Sequence, residues 1–263
     1  MAGIILTMWL FRSSYNIYIV SITQAAWKKD LVQDGYVRFS GLTPKMLVTR
    51  ALQAIQNDLR VNYDVNRQTE YDNRSYCPDL CDTPVIRDLL VKSPIYGFLN
   101  DTLGIRNLRM GPGQIAIRRS RNHAEPVPPT PHLDGFATGL NGVPGDRIYN
   151  HTVLIGVFLT PVLTEFAGNF TVWPASHYVY ERYFRERGNR AMHEPMPELQ
   201  LGDPVQLFCD VGDVVLAHYS LGHTAAVNTS EQDRIAVFFR AVLSKAQANG
   251  WPYLTNIWDG WNL

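Results

Sequence analysis

From about residue 105 onward the sequence consists of short apolar runs separated by turn formers. The runs are Gln114–Arg118, Thr152–Leu159, Phe170–Val172, Asp213–Ala217 and Ile235–Val242, with Gly, Pro, Asn and Asp between them. Several short strands with turn signals at their ends predict an antiparallel sandwich or jelly roll. No internal repeat accompanies them. Two of the connections stand out: residues 120–131 are proline-rich and lead into His132, and residues 187–204 are polar. Loops of this kind often overhang a binding cavity.

The first third reads differently. Thr23 to Asp34 has helical character and stops at Gly35, a residue suited to a helix C-terminus. Tyr36–Phe39 alternates like a short strand. Thr43 offers an N-cap and Pro44 a first helical position, after which Val48, Leu52, Ile55 and Leu59 make one apolar stripe expected to face the core. Residues 62–82 are polar and irregular, and a further helix starts at Thr83-Pro84. The expected architecture is mainly β with flanking α: helices from residues 23–104 packed outside a β core of residues 105–243, with a tail over 244–263. A length of 263 residues suits one such domain.

Residues 1–22 contain an apolar cluster, Ile4, Ile5, Leu6, Met8, Trp9, Leu10 and Phe11, which Arg12, Ser13, Ser14 and Asn16 interrupt. No 18-residue apolar stretch results, and no basic residues precede Ile4, so neither a membrane span nor a signal peptide is expected. Lys plus Arg and Asp plus Glu are both 24, which leaves no broad basic field for nucleic acid or acidic lipid. The local cluster Arg118, Arg119 and Arg121 reads as a solvated face. Three cysteines, Cys77, Cys81 and Cys209, do not make a disulfide framework. They fit a reducing, cytoplasmic setting as ordinary thiols.

The chemistry is concentrated in His132-Leu133-Asp134. In an extended segment residues i and i+2 point to the same side, so an imidazole and a carboxylate face one point. A third ligand from a distant strand would complete a two-histidine, one-carboxylate face, which leaves three metal positions open. His177, His218 and His223 all follow the β pattern and are candidates. Eleven residues after His223, Arg234 opens an apolar strand. It could pair with the distal end of a dicarboxylate, although spacing alone would leave it a surface strand residue.

The stretch from about 114 to 242 resembles the phytanoyl-CoA dioxygenase family of 2-oxoglutarate oxygenases. The matching segments are Pro131-His132-Leu133-Asp134-Gly135, Gly168 through His177, and Gly212-Asp213-Val214-Val215-Leu216 leading to His223, Asn228 and Arg234. Asp34-Gly35-Tyr36-Val37 also resembles that family's opening. The resemblance implies a double-stranded β-helix (jelly-roll, cupin-like) core. It implies His132, Asp134 and His223 as ligands of iron(II), and Arg234 as the partner of the 2-oxoglutarate C5 carboxylate. His177 and His218 fall outside its ligand set. Two positions depart from its pattern: Ala175 stands where a glycine is usual, and Ala225 where a small hydroxyl residue is common. Gln114 is a candidate for the C1 end of 2-oxoglutarate.

The implied activity is oxidation of a small organic molecule by O₂, coupled to decarboxylation of 2-oxoglutarate to succinate and CO₂. A carboxylate ligand at Asp134 favours hydroxylation, or a desaturation variant, over the halogenation that related enzymes perform when a small residue replaces it. Phe136, Tyr149 and Trp173 are candidates to shape a substrate pocket. Two other classes fit the bare motif, a metal cupin enzyme independent of 2-oxoglutarate and a catalytically silent jelly-roll binding module.

Overall fold

The computed structural model describes residues 24–104, 108–145, 148–150, 152–244 and 250–263. The apolar segment 1–22 lies outside them. Among the described residues six strands form one antiparallel sheet: β1 (Tyr36–Phe39), β2 (Leu108–Met110), β3 (Gln114–Arg118), β4 (Val153–Phe158), β7 (Val214–His218) and β9 (Arg234–Leu243). Their order is β1-β7-β4-β9-β2, and β3 pairs with β9 on the same side as β2. A smaller antiparallel sheet has the order β6 (Val205–Gln206), β5 (Phe170–Val172), β8 (His223–Ala225). An isolated antiparallel bridge between His132 and His223 attaches the His132 segment beside β8.

The centre of the large sheet is covered on both faces, which explains why β4, β7 and most of β9 do not alternate in sequence. All six residues of β4 are buried. Its odd positions Val153, Ile155 and Val157 join a cluster with the N-terminal helices, while Leu154 and Phe158 join a second cluster with Phe170 and Val172 of the small sheet. In β9, Ile235, Val237 and Phe239 face the helical side, and Ala236 and Phe238 face the small sheet. Arg234 and Arg240 share the parity of Ala236 and Phe238. The period of two therefore delivers both arginines to the space between the sheets.

The helical layer comprises α1 (Gln24–Asp34), α2 (Lys45–Asn62), α3 (Gln68–Asn73), α4 (Pro84–Val91) and α5 (Ile95–Leu103). The stripe on α2 is core as expected: Val48 and Ile55 are buried, and Leu52 and Leu59 pack partly buried against the same cluster. Thr43 does not act as an N-cap. The helix opens after Pro44 with no side-chain cap, and the Thr43 hydroxyl is buried without a hydrogen-bond partner. The stretch 62–82 contains α3 and two short 3-10 turns, so it is more ordered than its polarity suggests.

Among the described residues, two further α-helices lie beyond the helical third. Helix α6 (Ser176–Arg187) follows β5 directly, and α7 (Gly250–Thr255) lies in the tail. Ser176, His177, Tyr180 and Phe184 are the buried residues of α6, a helical spacing present in the sequence but masked by its charges. No helix among the described residues is long and apolar enough to cross a membrane.

Candidate metal centre

His132 and His223 are backbone partners. Each N–H donates to the other's carbonyl at 3.0 Å, so the bridge fixes the two Cα atoms side by side. Asp134 lies two residues along the extended segment and returns to the same side. Gly135 then turns the chain with φ +94°, and a Cβ there would sit 2.2 Å from the Tyr149 carbonyl oxygen. Only glycine allows that approach, and the Tyr149 N–H closes it by donating to the Gly135 carbonyl at 2.9 Å. On the other arm, Gly222 precedes β8 and its N–H donates to Ser176 Oγ at 2.8 Å, which anchors the turn into His223.

These constraints bring one ligand atom each from His132, Asp134 and His223 within 4.8 Å of one another. The Asp134 Oδ1 lies 3.7 Å from His132 Nε2 and 3.8 Å from His223 Nε2. Ligand atoms on one face of an octahedral ion, each about 2.1 Å from it, stand about 3 Å apart. Small side-chain rotations therefore close the three onto a common ion.

The electrostatics suit a cation. His223 Nδ1 lies 2.9 Å from the Leu221 carbonyl, which can only accept, so Nδ1 carries the proton and Nε2 presents its lone pair toward Asp134. Burial, followed by the neighbouring His132, pushes the His223 pKa down to about 4, so the imidazole is neutral at pH 7. The other carboxylate oxygen, Asp134 Oδ2, accepts from Arg240 Nε at 2.8 Å. Met196, from the polar 187–204 connection, accepts the Leu133 N–H through its sulfur at 3.1 Å, so that loop does lie against the His132 segment.

Arg234 is 2% exposed. Its Nε donates to the Gly168 carbonyl at 2.7 Å and its Nη1 to the Ala116 carbonyl at 3.0 Å. The guanidinium lies 5.9 Å from the centre of the Phe238 ring. That ring is 5.4 Å from Phe170, which is itself 5.4 Å from the His223 ring. Burial, with the nearby Arg118 charge adding to it, lowers the Arg234 pKa to about 9. It forms no ion pair with a carboxylate among the described residues.

Gln114 lies beside the cluster with both ends of its amide engaged. Its Oε1 accepts from Arg240 Nη1 at 2.7 Å, and its Nε2 donates to the Arg74 carbonyl. His177 and His218 stand elsewhere, with Nε2 atoms against the carbonyls of Val32 and Ile257 and rings packed around Trp258. The arginine cluster is a solvated face only in part: Arg121 is exposed, whereas Arg118 and Arg119 are half-buried. Arg118 Nε is buried, and Arg119 pairs with Asp233 at 2.7 Å over the rings of Tyr63 and Tyr76. Trp173 and Phe136 are buried, and Tyr149 remains exposed. Arg240 is the residue that sequence reasoning missed. Its one signal was a basic residue on the inward parity of an apolar strand.

Among the described residues, two antiparallel sheets facing each other, with a two-histidine, one-carboxylate cluster at the edge of the smaller one, define a β-sandwich protein with a candidate metal centre. No protein-family model matches the chain, and no curated protein matches it in sequence. Its fold is similar to that of solved proteins. One is the non-heme alpha ketoglutarate dependent epimerase SnoN from nogalamycin biosynthesis, at 17% identity over 83% of this chain and 80% of that one, with a TM-score of 0.56. A second is the carbocyclase SnoK from the same biosynthesis, at 17% identity over 82% of each chain and a TM-score of 0.56. A third is HygX from Streptomyces hygroscopicus, solved with nickel and 2-oxoglutarate bound, at 17% identity over 82% of this chain and 86% of that one, with a TM-score of 0.52.

Proposed function

We propose that this protein is an iron(II)- and 2-oxoglutarate-dependent oxygenase of the phytanoyl-CoA dioxygenase type, with a jelly-roll core, acting on a small organic molecule. The observation that carries the reading is the convergence of the His132, Asp134 and His223 donor atoms. Two imidazoles and one carboxylate on one face suit iron(II) and leave the opposite face for co-substrate and O₂. When bound, iron supplies the O₂ chemistry that couples decarboxylation of 2-oxoglutarate to substrate oxidation.

The chain's own residues supply position and charge. Arg234 holds a cation between the sheets with no acid against it among the described residues, which is costly unless an anion arrives. A 2-oxoglutarate C5 carboxylate meets that need, because a guanidinium can offer it parallel N–H donors. Phe170 and Phe238 line the way from His223 to Arg234 and keep it apolar. Asp134 occupies the position that a halide would need, which favours hydroxylation. The solved proteins of similar fold include 2-oxoglutarate-dependent enzymes named for epimerisation and ring formation, so the outcome on the substrate is read from the product.

The test is incubation of iron(II)-loaded protein with 2-oxoglutarate, O₂ and a panel of small organic molecules, measuring succinate and product mass. Succinate with a product about 16 Da heavier is the expected result, and it should vanish in His132→Ala. Metal binding without 2-oxoglutarate binding would reassign the chain to a 2-oxoglutarate-independent metal enzyme. Absence of metal binding would make it a silent binding module.

A further inference from the structure

We propose that Arg240 and Gln114 are positioning residues that hold Asp134 as a one-oxygen metal ligand. The inference rests on the metal-centre reading and adds to it the device that sets the number of open positions.

A carboxylate can meet a metal ion through one oxygen or both. If both bind, the protein takes four positions rather than three. Too few then remain for a co-substrate that chelates through two atoms and for O₂. In this structure the choice is made by hydrogen bonding. Arg240 Nε donates to Asp134 Oδ2 at 2.8 Å, so that oxygen points to the guanidinium. Oδ1 is the oxygen turned toward both imidazoles, at 3.7 and 3.8 Å.

Arg240 is itself fixed. Its Nη1 donates to Gln114 Oε1 at 2.7 Å, and Gln114 in turn donates to the Arg74 carbonyl. Gln114 on β3 is the register partner of Phe238, two residues before Arg240 on β9, so both side chains emerge on the same face of one sheet. A planar guanidinium held at two of its nitrogens has no rotation left, and it passes that orientation to the carboxylate plane. The row Gln114–Arg240–Asp134 thus starts on the rigid large sheet and ends on a ligand carried by an extended loop. Such a support is needed because Asp134 belongs to no strand of its own. The geometry also gives Gln114 a different part from the co-substrate contact expected of it. Both ends of its amide are already used, so its removal should act through the metal.

The test uses cobalt(II), which binds iron(II) sites and reports coordination by its visible absorption. Wild type, Arg240→Met, Arg240→Lys and Gln114→Ala are titrated with cobalt(II) without O₂, then with 2-oxoglutarate, and the melting point of each metal-free protein is recorded. Arg240→Met is expected to bind cobalt about 10–100-fold more weakly and to show an altered spectrum in the 2-oxoglutarate complex. Arg240→Lys should recover part of the affinity, and Gln114→Ala should change in the same direction by less. If Arg240→Met does not fold, the Lys and Gln114→Ala variants carry the comparison. Cobalt binding by wild type, with unchanged affinity and spectrum in the folded variants, would overturn this proposal and leave the metal centre standing. No cobalt binding by wild type would overturn the metal centre itself.

Discussion

Replacing Arg234 should separate co-substrate binding from metal binding. The side chain is 2% exposed, and among the described residues the space around it supplies two backbone carbonyls and the face of Phe238 but no carboxylate. Burial has lowered its pKa from 12.5 to about 9. That shift combines burial with repulsion from Arg118, and at about 1.4 kcal/mol per pKa unit it corresponds to a cost of holding the charge there on the order of 5 kcal/mol. The group still carries its charge at pH 7, so an arriving carboxylate recovers much of that cost. In Arg234→Met the same carboxylate would be buried unpaired, at about 3–5 kcal/mol, or roughly a hundred- to several-thousand-fold in affinity. Arg234→Lys should recover only part, because an ammonium is a point charge and cannot fork. The assay is calorimetric titration of 2-oxoglutarate into manganese-loaded protein, with manganese affinity measured alongside. Manganese affinity should stay within about threefold of wild type, since the triad is untouched. The metal-free Arg234→Met protein should keep or gain thermal stability, because a buried cation without an acid partner is replaced by an apolar chain of similar length. Equal 2-oxoglutarate affinity in wild type and Arg234→Met would refute the reasoning, and a parallel loss of manganese would show that Arg234 supports the fold of the centre instead.

Three further outcomes are expected. His132→Ala should lose metal binding in a manganese titration, whereas His177→Ala should retain it, since His177 lies against Val32 away from the triad. Burial holds the His177 pKa near 4 against 6.5 in an unfolded chain. The unfolded state therefore binds the extra proton first, and stability present above pH 6.5 is lost as pH falls toward 4. The loss is on the order of 3 kcal/mol, and urea unfolding at several pH values should show a smaller drop in His177→Gln. Gly168→Ala should destabilise the protein by about 1–3 kcal/mol, read by urea unfolding. Gly168 has φ +75°, and a Cβ there would lie 2.9 Å from the Arg118 Cβ and 3.1 Å from the Arg234 Cβ. The same variant should weaken 2-oxoglutarate, because the Gly168 carbonyl orients Arg234.

Much of the fold was legible in local pattern. Gln114–Arg118 and Phe170–Val172 are strands at the residues where their apolar runs stand, and the stripe from Val48 to Ile55 faces the core. These signals depend on which side of an element is apolar, and that is written in the chain itself. Helix α6 escaped because its charged and aromatic residues obscure a helical spacing that only packing made visible. The Thr43 cap failed because a capping hydroxyl needs a free helix N–H within reach, and the hydroxyl is instead buried away from one.

The sequence by itself determined that His132 and Asp134 share a side, since two residues along an extended segment always do. Strand pattern alone could not choose among His177, His218 and His223, because three histidines on a β pattern are equivalent until strands are paired, and only the family resemblance pointed to His223. The backbone bridge brings His223, and not the other two, beside His132, while α6 and the Trp258 side chain take His177 and His218 into the interior. Arg234 and Arg240 differ in the same way. As letters they are two arginines of one parity on one strand, and both enter the space between the sheets. Six residues of strand carry one beyond Phe238, against backbone carbonyls, and bring the other against Asp134. Parity is a local property of the chain, whereas which partner waits along β9 depends on segments 66 to 118 residues away in sequence.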